Sequence, residues 1–214
     1  KYKDLQLNFF NATTFAFNTF NAGGATTKGA ELQVNWAPDT VEGLRINGSL
    51  AYNDANYNQF TAPCFAGQTP AQGCTFDPTQ GLQKQDLAGG KRDFAPKWSG
   101  NVGFDYARSF GNGLEWGLAP NIRYKSKYLP NSFIQDTYQG GYVWIDAAIR
   151  IGDVDGTWQV ALIGRNLTDK YVITRLNDVP STGGNQGQAT AFNADRSAWT
   201  LNPRTFEIEF SARF

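Results

Sequence analysis

Histidine and methionine are both missing from this chain of 214 residues. Without histidine there is no side chain whose ordinary pKa lies near neutrality, no Ser-His-Asp arrangement and no imidazole for a transition metal. Without methionine there is no initiator, and the opening KYKDLQLNFF has no basic start, apolar run or small-residue cleavage site of a signal peptide. The expectation is that processing removed an export signal or that these residues are the C-terminal piece of a longer product. No stretch approaches eighteen consecutive apolar residues and mean hydropathy is −0.45, which excludes a transmembrane helix. It does not exclude a transmembrane barrel, whose strands are only half apolar. Charge is sparse, at 18%, and balanced, with 19 basic and 19 acidic residues and no block of one sign. That pattern carries no nucleic-acid footprint and no basic membrane-surface patch.

Cysteine occurs twice, at the two ends of CFAGQTPAQGC, residues 64–74. A Cys64–Cys74 disulfide is the favoured reading, because a zinc site needs more ligands than the neighbourhood offers. A loop cystine implies an oxidising compartment. Closing a loop of this length restrains the unfolded chain by about 3 kcal/mol on the chain-entropy view.

What the chain has in quantity is aromatic residues, 14%, and alternation. FEIEFSARF at 206–214 places Phe206, Ile208, Phe210, Ala212 and Phe214 on one face of a strand and Glu207, Glu209, Ser211 and Arg213 on the other. Seven further segments alternate, near 2–10, 25–37, 43–58, 96–108, 114–128, 140–152 and, less cleanly, 157–173. Leu5, Leu7 and Phe9 oppose Asp4, Gln6 and Asn8 in the first. Leu32, Val34 and Trp36 oppose Glu31, Gln33 and Asn35 in the second, and Val143, Ile145, Ala147, Ile149 and Ile151 line one side of the sixth.

Connections alternate in length. APDTVEG (37–43), SFGNG (109–113) and GDVDG (152–156) are tight turns, whereas 11–24, 59–95, 129–139 and 174–201 are long and rich in Gly, Asn, Gln and Thr. Short turns at one end and long loops at the other are what a meandering membrane barrel needs. Trp36, Trp116 and Trp158 lie beside the short turns. Trp98 and Tyr128 lie beside the long loops, with Tyr52 and Tyr57 at the loop end of the third strand. Aromatics at both ends of the strands predict two interfacial girdles. The fold expected is all-β, an antiparallel up-and-down transmembrane barrel. The first strand ascends, the last descends, and both chain ends face the periplasm. Glu115, Arg123, Arg150, Arg165, Glu207 and Glu209 are expected to face the lumen.

Several stretches resemble the C-terminal part of TonB-dependent receptors: NAGGATTKGAELQVNWAP (21–38), LRINGSLAYNDANYNQF (44–60), GGKRDFAPKWSGNVGFDY (89–106) and GRNLTDKYVI (164–173). The ending resembles the C-terminal signal by which the barrel-assembly machinery recognises outer-membrane proteins, carried here by Phe206, Ile208, Phe210, Ala212 and Phe214. The resemblance implies that residues 1–214 are the C-terminal part of a 22-strand barrel, without the plug domain, TonB box and N-terminal strands.

It also implies a location in the outer membrane of a Gram-negative bacterium. The implied function is energy-coupled uptake of a scarce solute, such as siderophore-bound iron, a cobalamin-like cofactor or an oligosaccharide. Implied partners are outer-membrane lipid, the barrel-assembly machinery, the solute, and the TonB complex through the N-terminal part. No cofactor and no nucleic-acid partner is implied. Candidate solute contacts are the loop residues Phe60, Phe65, Phe76, Tyr138, Phe192 and Trp199, with Arg175 and Arg196 for anionic groups.

Other signals are weaker. GGKR at 89–92 lacks the Ser or Thr after Lys that a phosphate loop needs. Asp153 and Asp155 in DVDG read as a turn rather than a calcium site. Asn47 with Ser49, and Asn166 with Thr168, match glycosylation sequons by chance within predicted strands. A self-contained eight-strand barrel with a structural or adhesion role is the alternative reading. An enzyme is the weakest, for want of a nucleophile–base pair.

Overall fold

Alternation over long segments builds one antiparallel sheet. The computed structural model describes residues 1–11, 16–79, 81–179, 182 and 195–213. Eight strands form the main sheet: β1 (Tyr2–Asn11), β2 (Ala16–Trp36), β3 (Leu44–Gln59), β7 (Trp98–Gly111), β8 (Leu114–Lys125), β9 (Tyr142–Asp153), β10 (Trp158–Arg165) and β13 (Thr205–Ala212). Each pairs with its neighbour along the chain, as an up-and-down meander requires. The short strands β4 (Thr61–Pro63), β5 (Cys74–Asp77) and β6 (Leu82–Asp86) make a small sheet in one loop. The pair β11 (Ile173–Val179) and β12 (Asp195–Thr200) makes a hairpin in another.

Register carries one apolar face across the sheet. Leu32 pairs with Leu50, Val34 with Gly48, Gly48 with Val102, Val102 with Ile122, and Ile122 with Ile145. Ile149 then pairs with Leu162, and Leu162 with Ile208. Most of these side chains are exposed, Ile208 at 78%. A contiguous apolar face of this size is not left in water by a soluble protein, and its natural solvent is lipid. Aromatics bound it. Trp116, packed on Tyr106 at 5.5 Å between ring centroids, and Trp36 lie at the turn end, and Tyr52 and Trp98, 4.8 Å apart, lie at the loop end.

The opposite face is polar and pairs its charges across strands. Arg150 of β9 reaches over β8 to hold Asp105 of β7 by two 2.7 Å hydrogen bonds. The path runs over Gly117, where an added Cβ would lie 2.5 Å from the guanidinium carbon. Arg123 pairs with Asp146, and Arg165 with Glu207 at 3.5 Å. The expected lumen residues Arg123, Arg150, Arg165 and Glu207 therefore satisfy one another or a neighbouring carboxylate. At the turn end, Gly43 takes a φ of 79°, and a Cβ there would sit 1.9 Å from the Ala107 carbonyl oxygen. Only glycine fits that turn. Asp153 accepts hydrogen bonds from the Trp158 amide and the Thr157 hydroxyl, so DVDG is a self-bonded turn.

Several expectations are corrected. The span 11–24 is not a long loop, because Ala16–Gly24 belong to β2 and pair with β1. β1 begins opposite Ala25 and rises from there, so it pairs with the upper half of β2 alone. Tyr2 therefore lies roughly 35 Å along the strand from Trp36 at about 3.3 Å per residue, and the start of the chain is not at the turn end. The seventh strand ends at Arg165 rather than near 173, and β11 belongs to a loop hairpin. Tyr57 and Tyr128 are buried within loop clusters and belong to no girdle. The eight strands do not close into a barrel, which removes the small self-contained barrel. β1 and β13 are the two ends of the sheet, and Thr26–Trp36 of β2 has no partner on its β1 side among the described residues. The final Phe214 lies outside the described residues.

Candidate functional site

Three long connections at the loop end fold against one another, and polar side chains tie them together. In the first, residues 60–97, the Cys64–Cys74 disulfide closes the loop next to the β4–β6–β5 sheet. Buried Gln85 donates to the carbonyls of Pro63 and Phe133, both at 2.8 Å, and accepts from Gln68 at 3.2 Å. One glutamine thus joins the first loop to the second, residues 126–141. Tyr57 donates to the Ser132 hydroxyl at 3.1 Å, and Asn131 donates to the Leu176 carbonyl at 2.8 Å. The third connection carries β11 and β12. Arg196 of β12 donates to Asp136 at 2.8 Å and to Asp178 at 3.2 Å, and its guanidinium lies 5.5 Å from the Phe65 ring centre. Asp178 also accepts from the Ala66 amide at 2.7 Å. Arg196 is where all three loops meet.

Electrostatics follow burial and pairing. Burial, with Tyr142 beside it, pushes the Tyr128 hydroxyl up to about 12, and that hydroxyl donates to the Ile173 carbonyl at 2.9 Å. Burial likewise pushes the Asp93 carboxyl up, against the pull of its own amide and Arg92. Asp77, held by Lys84 at 2.5 Å and by Thr79, lies well below the usual carboxylate range. Among the described residues, no cluster of acidic, cysteine or histidine side chains could hold a metal ion.

The candidate contacts separate by exposure. Phe60 is 2% exposed, packed with Tyr57, Leu87 and Phe133, and Phe65 is 5% exposed, packed with Ile134 and Leu176. Both are part of the loop core in this structure rather than exposed on its surface. Arg196 is committed to two carboxylates. Phe76 stands 63% exposed on an edge strand, and Tyr138 is exposed with Lys127 5.5 Å from its ring centre. Arg175 and Trp199 are cross-strand neighbours, the guanidinium 5.8 Å from the ring centre and the ring 52% exposed. Phe192 lies outside the described residues.

Two features escape the sequence. A groove of about 610 Å³ is lined by Gly29, Glu31, Asn53, Phe94, Ser99 and Lys125. Phe94, exposed and at a φ of 52°, gave no periodic signal because it sits in irregular backbone. The second is Asn166, fully buried at a φ of 52°, whose amide donates to the carbonyls of Lys170 and Asn202 while its oxygen accepts from the Lys170 amide. It heads a turn, not the strand interior its sequon reading assumed. Thr168 donates to the Val143 carbonyl at 3.0 Å and Asp169 accepts from Arg204 at 3.3 Å, so the NLTD run is a folded knot between β10 and the last loop.

Removing the disulfide tests how far the cap depends on it. A Cys64→Ser, Cys74→Ser variant should lose up to about 3 kcal/mol of local stability. It should then be nicked by protease within 64–86, while the main sheet stays resistant. Equal protection with and without the bond would show that Gln85 and its partners hold the cap alone.

A one-sided apolar sheet, girdled by aromatics, with tight turns at one end and a polar cap at the other, defines an outer-membrane β-barrel protein. The sequence model described as TonB dependent receptor-like, beta-barrel matches residues 1–167, and the chain belongs to that family. Members of the family sit in the outer membrane of Gram-negative bacteria and are receptors rather than enzymes. No curated protein matches the chain in sequence. Among solved structures it is similar to the siderophore receptor PiuA from Acinetobacter baumannii. The identity is 17% over 86% of this chain and 21% of that one, with a TM-score of 0.57. It is also similar to BauA, the ferric preacinetobactin receptor from Acinetobacter baumannii. There the identity is 15% over 96% of this chain and 25% of that one, with a TM-score of 0.56. The chain spans a fifth to a quarter of the length of these receptors.

Proposed function

We propose that this chain is the C-terminal barrel segment of a receptor for energy-coupled uptake of a scarce solute, with a ferric siderophore as the first candidate. The observation that carries the reading is membership of the receptor family together with a folded cap that presents an exposed cation–aromatic pair, Arg175 and Trp199. A guanidinium over an indole face suits an anionic, ring-bearing ligand, since the cation meets charge while the ring supplies stacking area. Because two of the similar structures are siderophore receptors, iron uptake is the first candidate to test, before a cobalamin-like cofactor or an oligosaccharide. Among the described residues Thr26–Trp36 of β2 and the outer side of β13 have no strand partner, which supports a larger barrel, because unpaired backbone cannot persist in lipid and further strands would cover it. Plug domain and TonB contact would belong to the rest of the receptor. The exposed Phe206, Ile208 and Phe210 face, on the edge strand, suits docking to the barrel-assembly machinery.

The test is uptake of radiolabelled ferric siderophore by iron-starved cells carrying the whole receptor. Arg175→Ala with Trp199→Ala should lower uptake at least tenfold at unchanged receptor level. Uptake at the wild-type rate would remove this pair from the site. A wild-type receptor that restores growth on cobalamin or an oligosaccharide, and not on iron, would move the substrate class.

A further inference from the structure

We propose that the lipid-facing rim above Tyr52 and Trp98 binds the phosphate of a phosphorylated lipid headgroup in the outer leaflet, with Lys28, Lys91 and Lys97 as the cationic contacts.

The register puts Lys28 and Lys91 on the membrane side of the sheet, and Lys97, which enters from the Asn53 row, turns its ammonium towards outward-facing Tyr52. Lys28 pairs with Asp54 directly above the Ala30–Tyr52 pair, in the same outward row as Leu32, Val34 and Trp36, and it is exposed. Asn56 bridges to Lys91, whose ammonium lies 2.7 Å from the Asp54 carboxylate and is half exposed. Lys97 accepts a hydrogen bond from the Asn53 amide at its backbone carbonyl, and its ammonium lies 5.7 Å from the Tyr52 ring centre. One carboxylate, Asp54, thus has Lys91 bonded to it, Lys97 close enough to act on it by charge, and Lys28 as its cross-strand register partner, three cations to one anion on this part of the rim.

Placement is built rather than incidental. Gly89 donates to the Tyr57 carbonyl at 2.8 Å, Tyr57 donates to the Gly90 carbonyl at 3.0 Å, and the Arg92 amide donates to the Ala55 carbonyl at 3.1 Å. These bonds lace the GGKR segment onto β3 and set Lys91 beside Asp54. The motif has no nucleotide to hold, yet it delivers a lysine to the rim.

Height decides the partner. Apolar side chains end at Tyr52 and Trp98, where an aromatic girdle marks the change from hydrocarbon to headgroup. A lysine stem laid along apolar surface carries its ammonium up to that level. Anions at that depth, on the outside of the barrel, are lipid phosphates, and basic clusters beside a membrane surface attract them. The polar face of the sheet points the other way, so the cluster does not contact a solute crossing the lumen. Along the same rim the outward pair Tyr124–Val143 is uncharged.

The experiment uses the whole protein, purified from outer membranes and reconstituted in phosphatidylcholine nanodiscs doped with bisphosphorylated lipid A. Retained lipid A is counted by native mass spectrometry. The Lys28→Gln, Lys91→Gln, Lys97→Gln variant should retain at least tenfold less, with heat-modifiable mobility unchanged. Lipid A stripped of phosphate should be retained by neither protein, and millimolar inorganic phosphate should not displace the intact lipid. Wild-type retention by the triple variant would overturn the proposal, and so would displacement by inorganic phosphate, which would mark a site for free anions. Should the triple variant fail to assemble, Asp54→Asn decides. It removes the competing carboxylate and should raise retention severalfold, and unchanged or lower retention overturns the assignment.

Discussion

Asn166→Ala should destabilise the assembled protein by about 4 kcal/mol in urea unfolding. The alanine strands three backbone groups at a fully buried position: the Lys170 amide, the Lys170 carbonyl and the Asn202 carbonyl. A buried polar group left without a partner costs about 1–3 kcal/mol. The φ of 52° adds to this, because asparagine tolerates the left-handed region better than alanine does. Asn166→Asp separates the two causes. It keeps the backbone conformation and the acceptor for the Lys170 amide, but sets a carboxylate against two carbonyls. If backbone strain dominated, the aspartate variant would stay near wild type. If the hydrogen bonds dominate, as the geometry requires, it should fall close to alanine. An alanine variant within 1 kcal/mol of wild type would refute the role given to this turn.

The second large effect is on the loop cap. Arg196→Met should release the third loop from the other two and raise protease nicking within 129–139 and 195–200 roughly 30-fold, the equivalent of about 2 kcal/mol. Methionine keeps the apolar stem over Phe65 but leaves Asp136 and Asp178 facing each other without a cation. The groups are a fifth to a third exposed, so solvent screening holds the loss below that of a deeply buried pair. Acid should act in the same direction on the wild type. Burial pushes the Asp136 carboxyl up, and Arg196 with Thr137 more than reverses this, so it lies below its ordinary range. A depressed carboxylate contributes stability that is present above its unfolded pKa and lost as pH falls through its folded one. The cap should therefore be fully latched at pH 6 and loosen below about pH 4. Hydrogen exchange across 129–139, corrected for the intrinsic rate, reads this directly. In Arg196→Met burial is opposed only by Thr137 and the Asp136 backbone amide, so the acid-induced loosening should shrink or vanish. A variant that loosens in acid as much as the wild type would show that another group controls the latch.

Much of this was legible in the chain. Alternation is a local property, and it marks a strand and its apolar face whatever the partner, which is why Leu32, Val34, Ile145, Ile149 and Ile208 could each be assigned to the apolar face of their own strand before any register was known. Tight turns announce themselves through Gly, Asp and Asn. The cystine was readable because no other cysteine competed for either partner, and Cys64 and Cys74 are bonded. The family was readable from motifs whose local chemistry is now visible, such as the NLTD knot around Asn166. By itself, then, the sequence determined the strands, their lipid face, the turn end and the receptor family.

Tertiary structure decided the rest, because it depends on what each segment meets. β1 alternates like any membrane strand, yet its pairing begins at Ala25, and only register puts it in the upper ribbon. Phe60, Phe65, Phe76 and Trp199 look alike in a loop sequence. Two are buried and two exposed because the loops fold over Phe60 and Phe65, a long-range event with no periodic trace. Arg196 and Arg175 look equally free on paper. One is held by Asp136, 60 positions away, and the other lies against an exposed indole. Alternation reports which way a side chain points, whereas burial, pairing and closure depend on what the chain brings opposite it.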